Sequence, residues 1–178
     1  MRLFIAVNFD AGFKDGVCRS AQELRRAGAS GSFTRPENVH LTLAFLGECG
    51  AGRIPDIRAA MERAAVESFT VRTAGAGRFR RDSGDVWWIG LQKCPELESL
   101  AARLDRELRR EGFCLEDRSF VPHITLGRRV TPPQGGKGAP AVPELVQRVV
   151  SFELMESRRV NGALEYVQLL SVKLPRVS

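Results

Sequence analysis

The chain contains two histidines, His40 and His123, and each opens the same four-residue pattern: His40-Leu41-Thr42-Leu43 and His123-Ile124-Thr125-Leu126. With 6 Thr and 18 Leu in 178 residues, chance sets Thr two places and Leu three places after a given His about once in 300. For both histidines the odds are on the order of one in 10⁵. Two imidazoles around one bound phosphate suit general acid–base chemistry, because a pKa near ~6.5 lets one be neutral while the other is charged. The threonine hydroxyls add donors for oxygens on which negative charge builds. Metal binding is the rival use of histidine. Two His with no third, no H-E-x-x-H and no acidic residue inside either motif form a poor ligand set, so neither a metal nor another cofactor is expected.

For these side chains to meet, each motif must lie on a strand. Successive side chains then alternate, so His40 and Thr42 share one face while Leu41 and Leu43 anchor the other, and His123 and Thr125 likewise oppose Ile124 and Leu126. The surrounding pattern supplies such strands. Residues 2–9 alternate as a strand, Asp10 and Gly12 break it, and a helix is expected over 17–26, followed by a glycine-rich turn at Gly28 and Gly31. A strand over 38–46 is bounded by Pro36 and Gly47. Ile54, Ile57, Ala60, Met61 and Ala64 predict an amphipathic helix over 54–66. Strands follow at 69–73 and 86–91, separated by an exposed turn carrying Arg78, Arg80 and Arg81 that suits an RNA backbone or plain solvation. Pro95 then starts a helix with Leu97, Leu100, Leu104 and Leu108 on one face, closed by Gly112. A strand over 120–130 carries the second motif, and the Pro- and Gly-rich 131–140 segment reads as a flexible loop. A short helix is expected near Pro143, then a hairpin of strands 150–156 and 164–174 turning at Asn161-Gly162.

Strand–helix units precede both motifs, so the simplest architecture is α+β. Two pseudo-symmetric lobes would set their antiparallel sheets facing across a central cleft with helices outside, residues 1–178 forming one bilobal domain. Adjacent Trp87 and Trp88 must point to opposite faces of their strand, one to the core and the other where it could stack on a base; Phe33 is a second stacking candidate.

Composition narrows the rest. Hydrophobic residues at 43% and charged residues at 27% are ordinary globular usage, against a disordered, collagen-like or membrane class. The opening MRLFIAVNFD lacks a signal-peptide pattern, and Cys18, Cys49, Cys94 and Cys114 have neither zinc-knuckle nor redox spacing. A cytoplasmic monomer with free thiols, away from membranes, is the expectation. The net charge of +6, carried mostly by arginine, suits a polyanionic ligand.

Beyond the motifs, RLFIAVNF, RPENVHLTLAFLG, DVWWIG, FVPHITLGR and LLSVKL occur in that order. Through them nearly the whole chain resembles the two-histidine phosphoesterase superfamily, and most closely its RNA 2',3'-cyclic phosphodiesterase branch, formerly called 2'-5' RNA ligases. The resemblance implies a bilobal fold and hydrolysis of RNA 2',3'-cyclic phosphate ends, or of cyclic nucleotides, to 2'-phosphomonoesters without metal. It implies that His40 donates a proton and His123 accepts one, and that Arg128 is a phosphate ligand beside Thr42 and Thr125. Strict alternation puts Arg128 on the face away from His123 and Arg129 on the cleft face, unless a bulge at Gly127 re-aims them. A 2'-5' RNA ligase using the site in reverse, and a noncatalytic RNA- or nucleotide-binding module, are the alternatives.

Overall fold

A computed structural model of the chain describes residues 1–133, 135 and 138–176. In order, its elements are β1 (Arg2–Asn8), α1 (Ala11–Arg26), β2 (Ser30–Phe33), β3 (His40–Glu48), α2 (Ile54–Ala64), β4 (Phe69–Phe79), β5 (Asp85–Leu91), α3 (Pro95–Arg110), β6 (His123–Thr131), β7 (Val146–Val149), β8 (Ser151–Val160) and β9 (Ala163–Lys173). Short 3-10 turns at Pro36–Asn38 and Ala51–Arg53 precede β3 and α2.

The strands pair antiparallel in the order β7-β4-β5-β6-β3-β1-β8-β9, with β2 also on β6. This is the expected α+β fold of two like halves. In one, β1 leads through α1 to β3 and lies beside it; in the other, β5 leads through α3 to β6 and lies beside it. The two motif strands meet at the centre through one register pair, Leu41 with Ile124, so the halves share one continuous sheet. Two of the three helices also pack across the seam, α1 against β6 and α3 against β3.

One face of the sheet is apolar. Leu3, Ile5, Val7, Leu41, Ile89, Ile124 and Leu126 are buried there with Leu24, Ile57, Met61, Leu97, Leu104 and Leu108 of the helices in one core. The other face carries a smaller cluster, Phe4, Ala6 and Met155 with Tyr166 beside them.

Four local expectations need correction. The first helix starts at Ala11, not near Val17, because Asp10 caps it by accepting from the Phe13 amide at 2.8 Å. Gly16 inside it makes room for a neighbour: a Cβ there would lie 2.4 Å from Leu145 Cδ2. The segment at Pro143 is not helical. Thr73 Oγ1 donates to Pro143 O and accepts from the Leu145 amide, and the Thr73 amide donates to Leu145 O. These bonds hold the segment extended against β4 until β7 begins. Finally, the turn read at Gly31 belongs to strand β2, and β4 runs on to Phe79, absorbing half of the basic turn. Part of the 131–140 segment lies outside the described residues.

Candidate active site

His40 and Thr42 stand half-buried on the face opposite the main core while Leu41 is fully buried, and β6 repeats the pattern with His123, Thr125 and Ile124. Extending the Leu41–Ile124 register by one residue each way sets His40 across from Thr125 and Thr42 across from His123. The imidazoles thus lie on a diagonal, roughly 7–8 Å apart at Cβ in a regular antiparallel pair.

Both rings are oriented in the same way. His40 Nδ1 lies 2.7 Å from Asn38 O, and His123 Nδ1 lies 2.7 Å from Val121 O. A carbonyl only accepts, so Nδ1 carries the hydrogen in each ring and Nε2 is the nitrogen free for chemistry. His40 Nε2 is 2.9 Å from Thr42 Oγ1. With the ring neutral, that hydroxyl donates to Nε2; with the ring charged, Nε2 donates to it. In this state Thr42 is a partner of His40 first, which its sequence spacing alone did not suggest.

The flanks of the histidines come from residues that sequence reasoning missed. Phe4 is 5.0 Å from the His40 ring, and Tyr166 meets it edge-on at 5.1 Å. Phe79 meets His123 edge-on at 5.6 Å and Trp88 at 5.3 Å. The sole signals were alternation along β1 and a single tyrosine in a distant strand. Trp87 is core, Trp88 lies on the other face over Gly77, and Phe33 packs toward the core beneath the Arg25 guanidinium.

Arg128 lines the same groove as His40, Thr42, Phe4 and Tyr166, a concavity of about 660 Å³. A β-bulge makes this possible. Register slips by one residue between the Trp88–Thr125 and Trp87–Gly127 pairs, by one more between Trp87–Gly127 and Asp85–Val130, and by one opposite β2. The slip beside Gly127 is the expected bulge, and Arg129, left-handed with φ 51°, marks the second irregularity that follows it. Val130 is back in the core and Arg128 is freed toward the cleft. Backbone crowds the bulge from both sides. A Cβ on Gly31 would lie 2.7 Å from Arg129 O, and one on Gly84 2.7 Å from Arg129 C.

Burial lowers the pKa of His40 below the usual histidine value, and the positive charges of Arg128, His123 and Lys14 push the same way against the Asn38 hydrogen bond. The free cleft therefore holds His40 neutral at neutral pH. Inorganic phosphate bound between the rings should reverse this, because a nearby anion favours imidazolium. In an NMR titration the His40 ring should titrate below ~6.5 in the free protein and shift upward with phosphate. A free-protein midpoint at or above that value would show that burial does not govern the site.

The cleft thus receives one H-x-T-x strand from each of two like half-sheets. Comparison with known proteins identifies the family. The family model described as 2'-5' RNA ligase superfamily matches residues 13–160. RNA 2',3'-cyclic phosphodiesterase of Methanothermobacter thermautotrophicus is 35% identical over 148 residues, 82% of this chain and 80% of that protein. The protein of the same name from Escherichia coli is 32% identical over 176 residues, 94% and 93% of the two chains. Among solved structures, E. coli LigT complexed with 3'-AMP superposes with a TM-score of 0.85 at 29% identity, covering 97% of both chains. The chain belongs to the 2'-5' RNA ligase superfamily.

Proposed function

We propose that this chain hydrolyses RNA or nucleoside 2',3'-cyclic phosphates to 2'-phosphomonoesters, with residues 1–178 acting as one bilobal unit. The observation that carries the proposal is the matched pair of imidazoles, each tied through Nδ1 to the carbonyl two residues earlier and each left with Nε2 for proton transfer. The activity in the names of its relatives supports the same reading.

In the proposed step His123 Nε2 takes a proton from water as the water oxygen bonds to phosphorus. The P–O3' bond breaks on the opposite side, and His40 Nε2 gives its proton to O3', leaving a 3'-hydroxyl and a 2'-phosphate. Burial keeps His40 unprotonated until an anion arrives, so the charge of the cyclic phosphate itself loads the acid. In this reading Arg128 and the Thr125 hydroxyl hold the non-bridging oxygens, and Thr42 Oγ1 holds the His40 Nε2 proton until transfer. Every proton has a donor and an acceptor among these side chains and water, so the scheme runs without metal. Among the described residues no helix is long and apolar enough to cross a membrane. Free thiols at Cys18, Cys49, Cys94 and Cys114 support a cytoplasmic setting.

The test is a short RNA with a 2',3'-cyclic end, incubated in excess EDTA, with the product phosphate located by phosphorus NMR. A 2'-phosphomonoester formed at an unchanged rate is expected. Formation of a 3'-phosphate would reverse the assignment of the leaving oxygen, and loss of activity restored by a divalent ion would remove the metal-free scheme.

A further inference from the structure

The two flanks of the histidine pair differ. Beyond His123 the face is filled: the Trp88 ring lies so close over Gly77 that a Cβ there would be 2.4 Å from it, and Phe79 packs on Trp88 and His123. Of the arginines at the β4–β5 turn, Arg78 is paired with Asp85 at 3.0 Å, and Arg81 turns back over Phe79. Beyond His40 lies the open groove.

Cross-strand register sets what lines that groove. Arg2 pairs with Ser157 and Ser157 with Tyr166, while Arg159 pairs with Leu164. Directly opposed residues share a face and so do residues two apart, so Arg2, Arg159 and Leu164 continue the face that carries Phe4 and Tyr166. Bulges in β3 bring Phe45 opposite Phe4 on this face. Phe45 and Leu164 are 40% and 38% exposed. The Arg2 guanidinium sits 5.1 Å over the Phe45 ring. Among the described residues Glu156 takes Arg158 and Glu48 takes the N-terminal amine, while neither Arg2 nor Arg159 has a carboxylate partner. Free cations alternating with exposed rings are what a single-stranded nucleic acid requires, the cations for phosphates and the rings for bases.

We infer that the RNA preceding the cyclic phosphate leaves the site over the β3–β1–β8–β9 face, its phosphates against Arg2 and Arg159 and a base against Phe45. This rests on the proposed role of His40: the ribose whose O3' it protonates, and the chain attached to that ribose, must lie on the His40 flank, leaving the His123 flank to water. Arg2 lies two residues beyond Phe4 along β1, about 7 Å at strand rise, so a phosphate one nucleotide upstream of the reacting one falls within its reach.

The experiment compares a nucleoside 2',3'-cyclic phosphate with a short RNA ending in the same group, at several salt concentrations. Wild type should favour the RNA, with a preference that declines as salt rises. Arg2→Ala combined with Arg159→Ala should raise KM for the RNA about 10-fold and flatten its log–log salt slope by about 1.4, two contacts at ~0.7 each, with the mononucleotide rate within about 2-fold of wild type. Phe45→Ala should weaken RNA binding about 5-fold or more at every salt concentration. Arg80→Ala with Arg81→Ala, on the opposite flank, should change neither substrate. An unchanged RNA KM in the Arg2/Arg159 variant, or loss of RNA preference in the Arg80/Arg81 variant, would overturn the track while leaving hydrolysis intact. Failure of wild type to cleave either substrate would instead overturn the proposed reaction, and the premise of the track with it.

Discussion

His40→Ala and His123→Ala should each lower single-turnover hydrolysis by on the order of 10²–10⁴, the usual worth of a positioned acid or base, without unfolding the protein. Both rings stand on the cleft face while the residues that anchor their strands point into the core, so truncation removes chemistry and leaves the main core intact. Because the two act on one displacement, the double variant should fall by less than the product of the single losses. The wild-type rate should follow a bell in pH, since the productive state needs one ring charged and one neutral. A folded His123→Ala protein with near wild-type turnover would remove His123 from catalysis, and the paired mechanism with it.

Leu41→Ala should cost about 2–5 kcal/mol, a large share of the ~5–15 kcal/mol that holds a domain folded. Leu41 is fully buried and forms, with Ile124, the register pair that joins the two halves. The change deletes core volume where the halves meet, and it loosens the register pair between the two histidine strands. A urea titration should show the lower midpoint, and the surviving folded fraction should have a reduced turnover per molecule. A midpoint within the error of wild type would show that the helices crossing the seam, α1 on β6 and α3 on β3, join the halves without it.

Much of this was legible beforehand, for physical reasons that differ by element. Alternation around His40 and His123 fixed which side chains share the cleft, since period-two patterning is local. The Leu97–Leu108 stripe with Pro95 before it located α3 for the same reason. What remained hidden depends on distant partners. Gly12 and Gly16 argue against a helix by propensity, and α1 forms there because Leu145 fills the space that Gly16 leaves. Ser30–Phe33 has almost no apolar pattern and becomes a strand by pairing with the bulged end of β6. The aim of Arg128 was undecidable along β6 alone. The slip beside Gly127 is visible only against β5, and the left-handed turn at Arg129 needs the close approach of Gly31 and Gly84 from two distant segments. Phe4, Phe79 and Tyr166 reach the histidines across the sheet, a relation that no spacing in the chain encodes.

The position of β1 between β3 and β8 governs how the molecule can be made. It is made before every other strand of this sheet, and one of its neighbours lies some 150 residues later. Until β8 and β9 emerge, β1 exposes a row of unpaired amides and carbonyls on one side, and His40 lacks its Tyr166 neighbour. Sheets closed by such distant pairings fold slowly, and open strand edges invite association with other chains. A nascent or prematurely ended chain would therefore present a sticky edge and an unfinished cleft together, until β8 covers the edge and β9 brings Tyr166 beside His40.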